Sequence, residues 1–257
     1  MISVLPLGCY GSELEEKKMI TFRLTESTLI DAGGILSAMP KSELLKIKNI
    51  IITHSHYDHI KDMPSLADFM LSYGFYTFNI YTTERIAAEI QKHIFNDLIW
   101  PDFTKLGKKG HPTINFKFIE FGKVFHIDDL EFLPIEVNHV VESIGFIIRK
   151  NNISLGYSGD TYICDNLVET LNREKNLSSL FYETSFPNRL DIIAKSSKHL
   201  TPSLLELELA RIKADVPVHL FHLKSHLVDE IKSEVEAIKT NKQINYLRQK
   251  CPVNIGS

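Results

Sequence analysis

The sequence predicts a four-layer α/β (α+β) domain in which two mixed β-sheets pack face to face and helices cover the outer surfaces. Short apolar strands with a few helices between them occur in the first half of the chain and then again in the second half. A doubly wound parallel sheet would need a stricter alternation of strand and helix. Because 257 residues can bury a full core, we predict a single domain over residues 1–257.

The first half of the chain is rich in predicted strands. Short runs of β-branched and other apolar residues, separated by turns that contain glycine, predict strands at 2–8, 19–24, 27–33, 49–53 and 78–82. Apolar residues at helical spacing predict helices at 35–47, with a break at Pro40, and at 63–74 and 83–95. Residues 96–113 have no periodicity, and we predict a long surface loop there.

The second half repeats the pattern of the first. Strands are predicted at 114–121, 130–137, 143–150, 153–160, 177–184 and 216–223. Helices are predicted at 164–174, 202–213 and 227–240. The residues after Lys242 carry no clear signal.

Composition and charge exclude several classes of protein. The net charge of −3 argues against a broad electrostatic surface for nucleic acid, so we do not expect a nucleic-acid partner. No apolar stretch reaches 18 residues, so we expect no membrane span. The N-terminal segment resembles a first strand and not a signal peptide. Three cysteines lie far apart, which predicts free thiols and a cytoplasmic enzyme.

The segment "ITHSHYDHIKDM" (52–63) places three histidines and an aspartate directly after a predicted strand. Imidazole nitrogens and carboxylate oxygens are the ligands that zinc and similar metals prefer. His54 and His56 can share one ion, while Asp58 and His59 can reach a second ion beside it. The alternative for this segment is a solvated polar turn.

Two metal ions need further ligands, and three residues at the ends of later predicted strands can supply them. These candidates are His139, Asp160 and His222, and the two oxygens of Asp160 could bridge both ions. Each residue taken alone fits a satisfied surface side chain, but together they complete a site. Asp31 is a candidate acceptor for the second ring nitrogen of a ligating histidine, with a turn aspartate as the alternative.

The set "THSHYDH", His139, "SGDT" and "FH" resembles the metallo-β-lactamase superfamily over nearly the whole chain. The resemblance implies an αββα metallo-β-lactamase sandwich with a dinuclear metal site at the edges of the sheets. It implies that one ion is held by His54, His56, His139 and Asp160. It implies that the other is held by Asp58, His59, Asp160 and His222.

Two further stretches resemble the class II cyclic-nucleotide phosphodiesterases of this superfamily. "FYETSF" carries Glu183, and "SKHLTPSLL" carries His199 two residues before Thr201. The run "HSHYDHIKDM" departs from that family's signature at Tyr57 and Asp62, and neither departure is at a ligand position.

The resemblance implies an enzyme that hydrolyses 3′,5′-cyclic nucleotides such as cAMP and cGMP to 5′-nucleotides with the help of two divalent metal ions. Zinc is the expected metal, with manganese or iron as alternatives. His199 is the candidate general acid for the leaving 3′ oxygen, and Glu183 is the candidate partner of its other ring nitrogen. The alternative for His199 is a structural residue before a helix that Thr201 caps.

Other functions and partners stay open on the sequence. An RNA 3′-end processing nuclease of the same superfamily is the main alternative, but the one basic cluster, "KLGKKG" (105–110), is small for an RNA. A non-enzymatic relative would have lost ligands, and none is missing. Trp100 and Phe103 could stack on a base or pack against the domain. The oligomeric state is open, with a homodimer among the alternatives.

Overall fold

The protein has two large β-sheets that face each other, with helices on the outside. The structure, a computed structural model, describes residues 1–74, 77–108 and 110–256. In this part of the chain each large sheet has seven strands. The arrangement confirms the predicted four-layer αββα architecture.

The first sheet combines antiparallel and parallel strands. In spatial order its strands are β16 (Val253–Ile255), β1 (Ile2–Gly8), β2 (Thr21–Arg23), β3 (Thr28–Ile30), β4 (Asn49–Ile51), β5 (Phe78–Thr82) and β8 (Ile114–Phe118). The pairs from β16 to β3 are antiparallel, and the pairs from β3 to β8 are parallel.

The second sheet has the same mixture of pairings. Its strands, in spatial order, are β15 (Ile244–Tyr246), β14 (Val218–Phe221), β13 (Leu177–Glu183), β12 (Ile153–Tyr157), β11 (Ile144–Lys150), β10 (Leu130–Glu136) and β9 (Phe125–Ile127). The pairs from β15 to β12 are parallel, and the pairs from β12 to β9 are antiparallel. Strands β10, β12, β13 and β14 therefore all end at the same edge of the sheet.

The helices follow the strands and place their apolar faces on the sheets. Beside the first sheet lie α1 (Ile35–Ala38), α2 (Lys41–Leu44), α3 (Tyr57–Ile60), α4 (Met63–Ser72) and α5 (Glu84–His93). The second half contributes α6 (Asp165–Arg173), α7 (Asp191–Ser197), α8 (Pro202–Arg211) and α9 (Val228–Val235). Pro40 separates α1 from α2, as the sequence predicted. Within residues 1–74, 77–108 and 110–256, no helix is both long enough and apolar enough to cross a bilayer.

Aromatic rings hold the two sheets together. Phe22 of β2 is fully buried, and its ring lies edge-on to rings of three strands of the opposite sheet. The centroid distances are 5.8 Å to Tyr157, 6.0 Å to Phe181 and 5.6 Å to Phe221. Edge-to-face pairs at this spacing are favourable in addition to the area that they bury. A second apolar cluster lies between the second sheet and α6, α8 and α9.

The segment after Lys242 carries no clear sequence signal, yet it forms two strands. It adds β15 to one sheet and β16 to the other, each as a terminal strand. Both strands are three residues long and only partly buried. Strands so short lack the alternation of apolar and polar residues that a sequence pattern needs.

The segment 96–113 is less regular than its surroundings, and it contains a small hairpin of β6 (Gly107–Lys108) and β7 (His111–Pro112). Phe103 is 2% exposed and packs edge-on against Phe95 with ring centroids 6.2 Å apart, so it is not available to stack on a base. Trp100 is half-buried and contacts the main apolar core. Lys109 of the basic cluster lies outside the described residues.

Candidate metal centre

The residues predicted as metal ligands meet at the shared edge of the two sheets. Each follows the carboxyl end of a strand, because that is where parallel strands of both sheets bring their loops together. The loop after β4 carries His54 and His56 and continues into α3 with Asp58 and His59. The loops after β10, β12 and β14 carry His139, Asp160 and His222.

Three histidines form a first group of ligand atoms. Nδ1 of His56 lies 3.1 Å from Nε2 of His54 and 3.1 Å from Nε2 of His139. His54 is fully buried, and His139 is nearly so. The ligand atoms of the group lie within 4.8 Å of one another, so they can share one ion. We call His54, His56 and His139 the three-histidine group.

Asp58, His59 and His222 form a second group, which we call the aspartate group. Nε2 of His59 and Nε2 of His222 are 3.4 Å apart, and Oδ2 of Asp58 is 3.2 Å from Nε2 of His222. Both histidines are fully buried. Their rings stack with centroids 5.5 Å apart, which directs both Nε2 atoms to the same point.

Asp160 lies between the two groups. Its Oδ2 is 2.9 Å from Nε2 of His222, 3.2 Å from Nε2 of His59 and 3.7 Å from Nε2 of His54. The side chain is 1% exposed, yet its Oδ1 has no hydrogen-bond partner among the described residues. A buried carboxylate oxygen without a partner is costly unless a cation occupies the space in front of it.

The second ring nitrogens of four of these histidines have acceptors outside the centre. Nδ1 of His59 lies 2.7 Å from Oδ2 of Asp31, and Nδ1 of His54 lies 3.1 Å from Oγ1 of Thr53. The other two contacts join Nδ1 of His139 to the carbonyl of Lys198 at 3.1 Å and Nδ1 of His222 to Oγ of Ser185 at 2.7 Å. These partners hold a proton on Nδ1, so Nε2 is the nitrogen that faces the centre and can bind a metal ion.

The three-histidine group is held neutral by its surroundings. Burial lowers the pKa of His139 to about 3, because the ring loses the water that would solvate its charge. Burial likewise lowers the pKa of His54 well below its ordinary value and lowers the pKa of His56. Neutral imidazoles are the form that binds metal ions.

The carboxylates in and beside the aspartate group favour protonated histidines in the absence of a metal. Burial alone would lower the pKa of His59, but the carboxylates of Asp160 and Asp31 raise it well above its ordinary value. Burial opposes a charge on His222 too, and there Asp160 and Asp58 raise the pKa. In return, His222 and His59 hold the pKa of Asp160 well below its usual range despite its burial.

The residues present fit divalent metal ions. The side chains bring five imidazole nitrogens and two carboxylates together, with the nitrogen lone pairs directed at one another across 3.1 to 3.4 Å. Such close lone pairs repel unless protons or cations lie between them. Oδ1 of Asp160 has no protein donor in the described residues and can accept a cation. Nitrogen and carboxylate donors of this kind suit zinc, manganese and iron.

Glu183 and His199 form a buried pair beside the centre. Nδ1 of His199 lies 2.9 Å from Oε1 of Glu183. The carboxylate also accepts hydrogen bonds from the backbone N–H groups of Thr161 and Leu200 and from Oγ of Ser185. These four donors explain how Glu183 can be fully buried.

His199 lies at the centre itself as well as in this pair. Its ring stacks on His222 with centroids 4.9 Å apart, and ligand atoms of His139, Asp160 and His199 lie within 4.8 Å of one another. Thr201 caps α8 through its contact with the Leu204 N–H, as the sequence predicted. The cap and the site therefore occur together, because the capped helix fixes the loop that carries His199.

Two residues of the centre have unusual backbone conformations, and a glycine lies close to one of the histidine rings. Asp31 and His222 have positive φ values of 59° and 69°, which are uncommon for residues other than glycine. A Cβ on Gly11 would lie 2.5 Å from Nδ1 of His222, so only glycine leaves room for that ring. Strain of this kind is typical of functional sites.

All nine residues predicted for the site converge, and two hydroxyl groups join them that the sequence analysis did not single out. Thr53 lies between Asp31 and His54, and Ser185 lies between Glu183 and His222. Both residues follow a strand. Thr53 directly precedes His54, and Ser185 lies two residues after Glu183, so closeness in sequence to a predicted site residue was the available signal. His219, three residues before His222, packs with its ring centroid 5.4 Å from that of Phe181.

A protein-family model described as a beta-lactamase superfamily domain matches residues 28–222. The chain belongs to this superfamily. The metallo-β-lactamase fold of the superfamily implies divalent metal binding. The matched range begins at β3 and ends at His222, so it contains every residue of the centre described above.

Two proteins with different names are similar to this chain in sequence. The chain is 27% identical over 237 residues to a 3′,5′-cyclic-nucleotide phosphodiesterase of Schizosaccharomyces pombe, a match of 78% of this chain and 66% of that protein. It is 26% identical over 232 residues to a ribonuclease Z of Methanococcus maripaludis, with 74% of each chain covered. The chain thus spans just under two thirds of the length of the first relative.

The fold is similar to that of solved superfamily structures. The crystal structure of unliganded yeast PDE1 matches with a TM-score of 0.80 over 98% of both chains, at 17% sequence identity. At this identity the likeness supports the fold alone.

Proposed function

We propose that this protein is a metal-dependent phosphodiesterase that hydrolyses 3′,5′-cyclic nucleotides to 5′-nucleotides. The observation that carries the proposal is the buried Glu183–His199 pair, whose histidine stacks on His222 at the edge of the candidate metal centre. A proton donor at that position suits a reaction that must release an alkoxide.

A phosphodiester resists hydrolysis for two reasons that the centre addresses. Its anionic oxygens repel a nucleophile, and the departing sugar oxygen is a poor leaving group until it receives a proton. Bound at the two ligand groups, divalent ions would supply an activated water at neutral pH and offset the negative charge of the phosphate. We propose zinc, with manganese or iron as alternatives, because the donors are imidazoles and carboxylates.

The proposed metal ligands are the residues of the three-histidine group and the aspartate group, together with Asp160. His54, His56 and His139 would hold one ion, and Asp58, His59 and His222 would hold the other. Asp160 would contact both, because its Oδ2 faces the aspartate group while its Oδ1 is without a protein donor in the described residues. Asp31, Thr53 and the carbonyl of Lys198 keep the rings of His59, His54 and His139 in the orientation that binding needs.

His199 is the proposed general acid. Glu183 accepts its Nδ1–H, which leaves Nε2 as the nitrogen that can exchange a proton with the substrate. The histidine would protonate the 3′ oxygen as the bond to phosphorus breaks. General acid catalysis of this type contributes roughly 10²–10⁴-fold in rate.

A ribonuclease that processes RNA 3′ ends is the second candidate, supported by the relative of Methanococcus maripaludis. The basic segment 105–110 would contribute little to RNA binding, because Lys105 already pairs with Asp102 at 2.6 Å. The net charge of −3 is also unfavourable for an RNA that binds through many phosphates.

Product analysis on matched substrates tests the proposal. Zinc-loaded and manganese-loaded protein would be incubated with 3′,5′-cyclic AMP, 3′,5′-cyclic GMP and a precursor tRNA, and the products separated by chromatography. We expect 5′-AMP or 5′-GMP and an intact precursor. Protein with His54→Ala serves as the inactive control, and His93→Ala, on an exposed helix end, serves as the active control.

Cleavage of the precursor with both cyclic nucleotides left intact would overturn the proposal in favour of the ribonuclease. Release of 3′-nucleotides would place the bond cleavage at the wrong oxygen and would contradict the role of His199 as the acid for the 3′ oxygen.

A further inference from the structure

The hydroxyl of Ser185 lies between the candidate metal centre and the Glu183–His199 pair. Its Oγ is 2.7 Å from Nδ1 of His222 and 2.9 Å from Oε2 of Glu183. Nδ1 of His199 is 3.2 Å away. Ser185 is fully buried, so water does not compete for these contacts.

The chemistry of the three groups fixes the direction of the hydrogen bonds. A carboxylate only accepts, so the hydroxyl of Ser185 donates its single proton to Glu183. His222 must then donate from Nδ1 to the oxygen of Ser185, so Nε2 is the ring nitrogen that faces Asp58 and Asp160. The chain of bonds therefore runs from His222 through Ser185 to Glu183 and ends at His199.

We propose that Ser185 is a positioning residue that fixes the ring of His222 for metal binding and couples it to the acid pair Glu183–His199. The inference deepens the proposed function and rests on it for the role of His199. Its part concerning the metal rests on the contacts of Ser185 alone.

Packing alone does not determine the orientation of the His222 ring. Gly11 lies against it, where a Cβ would be 2.5 Å from Nδ1, and His199 stacks on it at 4.9 Å. These contacts fix the plane of the ring, but a half-turn within that plane would exchange its nitrogen and carbon atoms. The hydrogen bond to Ser185 distinguishes the two orientations, because only one of them directs Nδ1–H to the hydroxyl.

Thr53 makes the corresponding contacts in the other half of the centre. Its Oγ1 lies 2.9 Å from Oδ2 of Asp31 and 3.1 Å from Nδ1 of His54. Each sheet thus contributes one buried hydroxyl between a carboxylate and a histidine. The difference is that Asp31 also contacts His59 directly, whereas His222 reaches Glu183 only through Ser185 in the described contacts.

Three variants test the role of Ser185. Ser185→Ala removes the hydroxyl, and Ser185→Thr keeps it. Ser179→Ala is the matched control, because Ser179 is buried on β13, the strand that precedes Ser185, and its hydroxyl donates to the carbonyl of Pro217, away from the centre. Thermal unfolding of the metal-free proteins would show whether each variant folds.

Zinc binding, measured by competition with a chromophoric chelator, is the first readout and needs no substrate. We expect Ser185→Ala to lower the affinity for one of the two zinc ions by about 10–100-fold. The affinity for the other ion should stay within a few-fold of the wild-type value. Ser185→Thr should restore the affinity, and Ser179→Ala should match the wild type. Wild-type affinity for both ions in Ser185→Ala would overturn the inference.

The second readout is turnover of 3′,5′-cyclic AMP at saturating zinc. Since Ser185 acts through His199, Ser185→Ala combined with His199→Ala should be no slower than His199→Ala alone. Rate losses that multiply in the double variant would contradict the coupling.

If Ser185→Ala does not fold, Ser185→Cys replaces it in both assays, because a thiol is a weak donor of similar shape. A changed zinc isotherm without cyclic-nucleotide turnover would reject the proposed substrate and retain the metal role of Ser185.

Discussion

Nδ1 of His59 lies 2.7 Å from Oδ2 of Asp31, and both side chains are fully buried. Asp31 follows β3, has a positive φ of 59° and contacts His59 of α3 through its carboxylate. The same carboxylate accepts hydrogen bonds from the backbone N–H and Oγ1 of Thr53. Asp31 therefore supports ligands of both groups, His59 directly and His54 through Thr53.

Replacement of Asp31 by asparagine should weaken metal binding while the fold is kept. Asparagine tolerates a positive φ and keeps the size of the side chain, but it removes the negative charge beside His59. We expect the apparent affinity for zinc to fall by about 10–100-fold, as for other residues that hold a ligating histidine. Competition with a chelator measures the change.

The matched control is Asp128→Asn. Asp128 also has a positive φ of 53° and accepts bonds from hydroxyl groups of Thr25 and Thr28, but it contacts no residue of the centre. Equal zinc affinities for Asp31→Asn and Asp128→Asn would show that Asp31 has no special role.

Metal binding should release protons from one ligand group and not from the other. The pKa of His59 and the pKa of His222 are raised, so both rings carry protons that a metal ion must displace. The pKa of His139 is about 3, and those of His54 and His56 are lowered, so the three-histidine group is already neutral near neutral pH. We therefore expect one ion to bind without proton release and the other to bind with it.

The direction in which metal affinity changes with pH follows from the raised pKa values of His59 and His222. Below the raised pKa values, protons compete for Nε2 of His59 and His222, so affinity for the proton-linked ion should rise as pH rises towards those values. Titration calorimetry in two buffers of different ionisation enthalpy counts the protons released by each ion. Equal proton release by both ions would be incompatible with the two charge states described.

His199 should matter most for substrates with poor leaving groups. We expect His199→Ala to lower kcat for 3′,5′-cyclic AMP by roughly 10²–10⁴-fold, because the 3′ alkoxide needs a proton to leave. The loss should be much smaller for bis(p-nitrophenyl) phosphate, whose nitrophenolate leaves without one. Elemental analysis should find the same metal content as in the wild type.

A different outcome would change the assignment. Loss of metal from His199→Ala would make His199 a ligand. An equal loss of kcat for both substrates would mean that the histidine does not act on the leaving group.

The ring of Phe22 should contribute strongly to stability. It is 1% exposed and lies edge-on to Tyr157, Phe181 and Phe221 of the opposite sheet. Phe22→Ala should destabilise the fold by about 3–5 kcal/mol, since it removes a large buried side chain and leaves a cavity. The exposed control Phe118→Ala should change the free energy of unfolding by about 0.5 kcal/mol or less. Urea unfolding compares the two, and similar losses would contradict the packing between the sheets.

Much of the site could be predicted because its ligands follow strands that are easy to recognise. His54, Asp160 and His222 each lie within three residues of the end of a largely apolar strand, and parallel strands bring such positions to one edge. Asp31 was identified as a candidate because a ligating histidine usually donates its second N–H to a carboxylate or a similar acceptor. Which nitrogen each histidine presents could not be predicted, because it depends on partners such as the carbonyl of Lys198, which any residue could supply.

Other features lacked a sequence signal for physical reasons. Ser185 and Thr53 are small hydroxyl residues of a kind common at strand ends, and only their distances to the histidines reveal a role. Helix α7 was not predicted, because it has only seven residues and its large apolar residues Ile192 and Ile193 are exposed. The terminal strands β15 and β16 are too short for a periodic pattern.

The three cysteines should differ in reactivity in the native protein. Cys251 is exposed, whereas Cys9 and Cys164 are buried. Burial raises the pKa of the Cys9 thiol to about 12 and also raises that of Cys164, so neither forms the reactive thiolate near neutral pH. We expect a thiol reagent such as dithionitrobenzoate to modify Cys251 quickly in the folded protein and the other two only after unfolding in guanidinium chloride. Cys251→Ser should abolish the fast phase. A fast phase that persists in this variant would place a reactive thiol where the structure has a buried one.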